Sequence, residues 1–241
     1  MKKTKPLSLL ATVFLLAFCA LAVFFALQNR RGPAEKEPSG GIVLTPFEDE
    51  HENDTLAWQK NPTGDRAVIE TDRGTFTVAL FPSESADLFV SRVNAGLYHN
   101  TAFSVLAENL FAQVPPVNGD AAAVEKNDLA AIYGAIGFVL DGDKAASTSL
   151  ALITAKTLSG LSRAYLEENP SVFNKEQAAF YEAKGGVPEY ENRLALFGQV
   201  VDGFDLLTAM AAEKTDGYTG GYHAETPVTV LSVRIEKPKT E

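Results

Sequence analysis

The sequence predicts a mostly-β barrel with a few helices, and three observations carry that expectation. About eight short apolar runs follow one another between residues 67 and 236, each the length of a strand. The last of them, V-T-V-L-S-V-R-I-E over 228–236, alternates apolar and polar residues, as a half-buried strand does. Helical spacing, by contrast, is confined to short stretches between the runs.

The folded body is expected to occupy 65–241. Its first strands, 67–71 (A-V-I-E-T) and 76–80, are joined by Asp72-Arg73-Gly74, a good hairpin turn. After Phe81-Pro82, Ser83 is an N-cap for a helix on which Ala86, Phe89, Val90 and Val93 recur at helical spacing, and Gly96 can close it in the left-handed conformation. Strand-like runs follow at 101–106, 110–114, 132–140 and 150–154, with Ser147-Thr148-Ser149 read as a loop. The stretch 155–190 breaks this rhythm with helical patches at 159–167 and 175–183, parted by Asn169-Pro170. A strand over 194–201, a tight turn at Asp202-Gly203 and a helix over 204–213 come next, then a Gly/Tyr loop (G-Y-T-G-G-Y-H, 217–223) before the final strand.

Two segments precede the body. Residues 7–27 form a 21-residue run without charge, with Ser8 and Thr12 as its polar members, behind a basic Met1–Lys5. A helix of that length spans roughly 30 Å, the thickness of a bilayer core. Residues 1–31 are therefore read as a transmembrane anchor, the alternatives being a cleaved signal peptide or a lipidated Cys19. The three lysines before the span and two arginines after it give a modest bias toward a cytoplasmic amino terminus. The expected location is thus the cell membrane, single-pass, with the body extracytoplasmic. Residues 32–64 are rich in Pro, Gly, Glu and Asp, too poor in apolar surface to offset their ordering entropy, and are read as a flexible acidic linker. Within it, the apolar cluster 42–44 and Trp58 read as surface hydrophobes, the alternative being that they dock on the body or a partner.

Charge and cysteine content exclude several functions. The net charge is −10, and residues 1–31 carry five positive charges and no acid, so the rest carries −15. A body that acidic is not built to hold phosphate backbones, and nucleic acid is not expected as a partner. Cys19 is the only cysteine, which excludes an internal disulfide framework and a Cys-rich zinc site. His51, His99 and His223 lie far apart, without the spacing of a metal pair, so neither metal nor cofactor is expected. Gly134-Ala-Ile-Gly is too short for a phosphate loop, and no histidine motif stands near the serines at 147 and 149.

Five segments, in order and at the right separations, resemble the cyclophilins, the barrel-shaped peptidyl-prolyl cis-trans isomerases. The first hairpin and helix (A-V-I-E-T-D-R-G-T-F-T-V-A-L-F-P, ending in N-A-G-L-Y) look like the family's opening. F-S-V-L-A-E-N-L-F-A-Q (103–113) falls where the family writes F-H-R-V-I-P-G-F-M-I-Q, G-A-I-G-F-V-L (134–140) falls on G-x-L-S-M-A, and T-S-L-A-L-I (148–153) falls on G-S-Q-F-F-I. G-G-V-P-E-Y-E-N-R-L-A-L-F-G-Q-V-V-D-G (185–203) falls on G-G-x-P-x-L-D-G-x-H-T-V-F-G-x-V-x-x-G, in the version with a helical insertion found in Gram-positive bacteria. The resemblance implies a closed eight-stranded antiparallel barrel capped by two helices, with an extra helical insertion, and a monomeric domain. It also implies isomerase activity on Pro-containing peptides of exported proteins.

The implied site departs from the family residue by residue. The family's central arginine falls on Val105, its second glutamine on Leu150 and its histidine on Leu194, while Gln113 keeps its polar type. The groove expected from the resemblance is lined by Phe103, Leu110, Phe111, Gln113, Leu152 and Tyr190. Losing preorganised donors removes the transition-state stabilisation that twists the amide, so catalysis is expected to be weak or lost. Three outcomes stay open: a cleft closed into core, an apolar groove that binds without turnover, and residual isomerase activity.

Overall fold

The computed structural model describes residues 54–142, 145–216 and 222–237. The expected anchor, the linker as far as residue 53 and the loop over 217–221 lie outside the described residues. Among the described residues no helix is long and apolar enough to cross a membrane.

The first described element corrects the linker expectation. Helix α1 (Asp54–Lys60) docks on the body instead of staying coil. Leu56 is 2% exposed, and Gln59 trades two hydrogen bonds with the Ala130 backbone: its Nε2 donates to the carbonyl at 2.9 Å and its Oε1 accepts from the amide at 2.8 Å. Trp58 packs edge-on against Phe81, ring centroids 5.2 Å apart, so it is no isolated surface hydrophobe. The acid count of the segment outweighed these few anchoring residues in the sequence pattern.

Strands β1 (Arg66–Thr71) and β2 (Gly74–Leu80) form the predicted hairpin, closed by Thr71 Oγ1 donating to the Gly74 carbonyl at 2.7 Å. Helix α2 (Glu84–Asn94) starts as expected, with Ser83 Oγ accepting from the Ala86 amide at 3.3 Å. Then come β3 (Ala102–Ala107), β4 (Phe111–Val114), a two-residue β5 (Ala122–Ala123), β6 (Ala135–Asp141) and β7 (Ala145–Ile153). The serines read as a loop lie inside β7, where their hydroxyls are met by backbone: Ser147 Oγ donates to Val139 O at 2.6 Å and Ser149 Oγ to Val114 O at 2.7 Å. Helices α3 (Gly160–Glu168) and α4 (Lys175–Lys184) make the predicted insertion, the second opened by a reciprocal Asn174–Gln177 capping box. A 3-10 turn (Pro188–Arg193), β8 (Leu194–Asp202), α5 (Phe204–Ala211) and β9 (His223–Glu236) complete the body.

The strands pair antiparallel in the order β4-β3-β9-β1-β2-β8-β6-β7, and β7 pairs back onto β4. That closes an eight-stranded barrel and abolishes its open edges, while β5 attaches to β7 outside the ring. Helix α2 follows the end of β2, whereas Gly203, which opens α5, lies against Thr75 and Phe76 near the start of β2. The two helices therefore plug opposite ends. Phe89 from α2 stacks on Phe197 at 4.4 Å, and Leu206, Leu207 and Met210 from α5 join the same interior cluster. A second apolar cluster covers part of the barrel's outer surface and takes in α1, the insertion helices and the 129–132 segment.

Candidate functional site

Cross-strand register decides which side chains reach the outer surface, because directly opposed residues of an antiparallel pair share a face. On β4 and β7, Ala112 opposes Leu152 and Val114 opposes Leu150, and all four belong to the barrel interior. Phe111 opposes Ile153 and Gln113 opposes Ala151, with Phe111, Ala151 and Ile153 in the outer cluster. Val105 opposes Gln113 across β3 and β4 and thereby shares its face. On β8, Leu194 and Leu196 belong to the outer cluster while Ala195 and Phe197 point inward.

Six of the nine expected residues thus share the outer side: Val105, Leu110, Phe111, Gln113, Tyr190 and Leu194. Three do not, and their expected places are corrected. Leu150 and Leu152 fill the barrel at 4% and 0% exposure, so neither borders the groove. Phe103 is also interior, its ring 6.1 Å from Phe76; the register shift between Phe103 and Val105 turns the strand over at that point. Ala151 and Ile153 are the β7 residues beside Gln113 and Phe111. The period of two along a strand carries that signal, and a one-residue offset in matching the motif sends every side chain to the wrong face.

Polar chemistry on this face is sparse. Val105 offers no donor, and Gln113 Nε2 donates to Ser149 Oγ at 2.8 Å. Arg92, a buried guanidinium, lies inside the barrel: it donates to the carbonyls of Ser147 at 2.7 Å, Asp120 at 2.9 Å and Ala146 at 3.3 Å, and sits 4.7 Å from the centroid of Phe138. Arg193 brings a cation to the apolar strip, its guanidinium 5.4 Å from the centroid of Tyr190. Tyr190 in turn meets Phe111 edge-on at 5.4 Å.

The loop that carries Tyr190 is bolted to the insertion. Gly185 and Gly186 open it at φ 73° and 118°, and a Cβ would lie 2.4 Å from Lys156 C in the first case and 2.3 Å from Ala131 O in the second. Only glycine passes there. Tyr181 Oη accepts from the Ala131 amide at 2.7 Å and donates to Glu191, while Ser162 Oγ donates to Glu189 Oε1 at 3.1 Å. Burial, above all, lifts the Glu191 carboxyl above its ordinary value of 4.5, and burial followed by the charge of Glu191 lifts the Tyr181 hydroxyl. Neither Tyr181 nor Glu191 stands out in the sequence, because their link joins a helix face to a turn ten residues on. Among the described residues no group of three or more His, Cys, Asp or Glu side chains is arranged to hold a metal ion.

A closed eight-stranded antiparallel barrel, plugged by a helix at each end, defines the architecture. The sequence model for "Cyclophilin type peptidyl-prolyl cis-trans isomerase/CLD" matches residues 66–237, and the chain belongs to that family. Two solved structures show the same fold, both of a cyclophilin-type peptidyl-prolyl cis-trans isomerase from Cryptosporidium parvum. The first is 14% identical, with a TM-score of 0.53 over 72% of this chain and 98% of that one. The second, determined in the presence of the dipeptide Ala-Pro, is also 14% identical, with a TM-score of 0.52 over 72% of this chain and 99% of that one. No curated protein matches.

Proposed function

We propose that this cyclophilin-family protein is a membrane-anchored, extracytoplasmic binder of Pro-containing segments of exported proteins, with weak or lost isomerase activity. The observation that carries this reading is the pair Val105–Gln113. An X-Pro bond resists rotation by roughly 18–20 kcal/mol, and a fixed donor aimed at the twisting amide is what lowers that barrier. Here the residue opposite Gln113 is an aliphatic valine, and the Gln113 amide nitrogen is already bonded to Ser149. Removing one preorganised donor typically costs about 10²–10³ in rate. The apolar side of the work is better supported: Leu110, Phe111 and Tyr190 are each half-buried on the outer side, where a proline ring can pack. That a structural relative was determined in the presence of Ala-Pro supports the same ligand class.

The test is an isomerisation assay of a proline peptide with the full chain in mild detergent, against an ordinary cyclophilin. The expected rate lies at least about 10²-fold lower, and Val105→Arg is expected to recover part of it. A wild-type rate within about tenfold of the ordinary enzyme sinks the weak-site reading. Saturable binding of the same peptide without turnover is the result expected of a non-catalytic binding module. For the anchor, residues 7–27 support retention in the membrane after alkaline extraction; release of the intact chain overturns it.

A further inference from the structure

Outside the groove, a cavity of about 340 Å³ lies between α1 and the junction of β2 with α2. Its lining includes Trp58 and Phe81, the apolar Leu80 and Val90, and two acidic residues, Asp65 and Asp87. We propose that this cavity is a binding site for a basic side chain, lysine or arginine, presented by a partner polypeptide.

Size comes first. Pockets for small organic ligands run from about 300 to 1,000 Å³, so this one sits at the lower end and suits a single long side chain. Its chemistry then selects the type. Leu80 is 5% exposed and Val90 half-buried, an apolar surface for a methylene stem. The rings of Trp58 and Phe81 meet at 71°, and the Trp58 indole is fixed by its Nε1 donating to Thr63 O at 3.1 Å. Aromatic walls attract a cation through the ring quadrupole. Neither Asp65 nor Asp87 forms an ion pair among the described residues, and no lysine, arginine or histidine lines the cavity. Two unpaired carboxylates beside an aromatic corner complement a positive charge and penalise an uncharged apolar group. The −15 charge of the chain beyond residue 31 draws basic partners toward it. Trp58, Thr63 and Asp65 precede residue 66, where the family match begins, so this wall lies outside the stretch that the family model matches.

Trp58 is the only tryptophan of the chain, so its emission reports the cavity directly. The full chain in mild detergent is titrated with N-acetyl-lysine methylamide, N-acetyl-arginine methylamide and the uncharged N-acetyl-norleucine methylamide. Saturable changes with the first two, and affinity at least about tenfold lower for norleucine, are expected. Asp65→Asn with Asp87→Asn is expected to weaken lysine binding about tenfold. Should the double variant unfold, Asp87→Asn alone, on an exposed helix position, replaces it with a smaller loss in the same direction. Equal binding of norleucine and lysine, unchanged affinity in a folded variant, or no saturable change with any probe overturns the proposal. None of Val105, Leu110, Phe111, Gln113, Tyr190 and Leu194 lines the cavity, so this outcome is independent of the isomerase assay.

Discussion

The two faces of the β4–β7 pair make an instructive contrast. Inward, Ala112, Val114, Leu150 and Leu152 are apolar and at most 4% exposed, continuous with a core of stacked phenylalanines. Outward, Phe111, Gln113, Ala151 and Ile153 meet a mixed surface of helices, a glycine-gated loop and a few polar bonds. The inner face holds the family's barrel, and it explains why the fold survives at 14% identity to its structural relatives. The outer face carries Val105 and Leu194, where the sequence resemblance implies an arginine and a histidine. One strand serves both purposes, and its two faces have separate chemical requirements.

The strongest challenge to that contrast is a pair of truncations. Leu152→Ala leaves a hole among fully buried neighbours and is expected to destabilise by about 2–5 kcal/mol in urea unfolding. Val105→Ala, at a half-buried outer position, is expected to lie below about 1 kcal/mol. Equal costs would mean that the outer face is as much a core as the inner one.

Next in size are the attachments that clothe the outer face. Gln59→Ala leaves the buried Ala130 amide without its partner, while the Ala130 carbonyl still accepts from the Ile132 amide at 2.8 Å, and an unsatisfied buried polar group costs about 1–3 kcal/mol. A chain beginning at Asp65 loses this link and Leu56 together, and is expected to unfold at lower urea than one beginning at residue 54. If both unfold at the same midpoint, α1 is an ornament on a self-sufficient barrel.

The Tyr181–Glu191 link sharpens the contrast through pH. Burial raises the folded carboxyl above 4.5, so the folded state binds that proton more tightly than the unfolded chain does. Its contribution is therefore fully present below about pH 4.5 and is lost as pH rises through the raised folded value. Glu191→Gln keeps an acceptor for the Tyr181 hydroxyl and removes the titration. The variant is expected to match the parent near pH 4 and exceed it in thermal midpoint near pH 7. A parallel pair of stability profiles would show that Glu191 does not titrate differently in the folded state.

How much of this was legible in the sequence follows the same division. Apolar alternation in 228–236, the Asp72–Gly74 turn and the Ser83 cap are local signals, and the elements they mark are present. The motif series identified the barrel because inner-face residues are set by packing and keep their spacing. On the outer side, Val105, Phe111, Gln113 and Leu194 were readable, because each sits on a strand whose register is pinned by a neighbour. Leu150 and Leu152 were misplaced by one residue, which the motif letters alone do not resolve and the β4–β7 pairing does. Helix α1 was hidden because its docking rests on Leu56, Trp58 and Gln59 meeting residues about 70 positions away or across the first hairpin. Contacts of that kind leave no periodic trace.

The smallest expected effect belongs to Lys60 and Glu176, which join α1 to α4 at 2.7 Å with side chains 49% and 55% exposed. Exposed pairs of this kind contribute about 0–1 kcal/mol and weaken with salt, so Lys60→Ala is expected to shift stability by less than about 0.5 kcal/mol. Gln59 stands one residue away with an expected cost several times larger, although it carries no charge. The difference is desolvation: the amide of Gln59 meets a buried peptide group, whereas water competes for both partners of the ion pair. Measuring both variants at low and high salt separates the two terms. A salt-dependent loss at Lys60 as large as that at Gln59 would show that α1 is held by charge and not by its buried contacts.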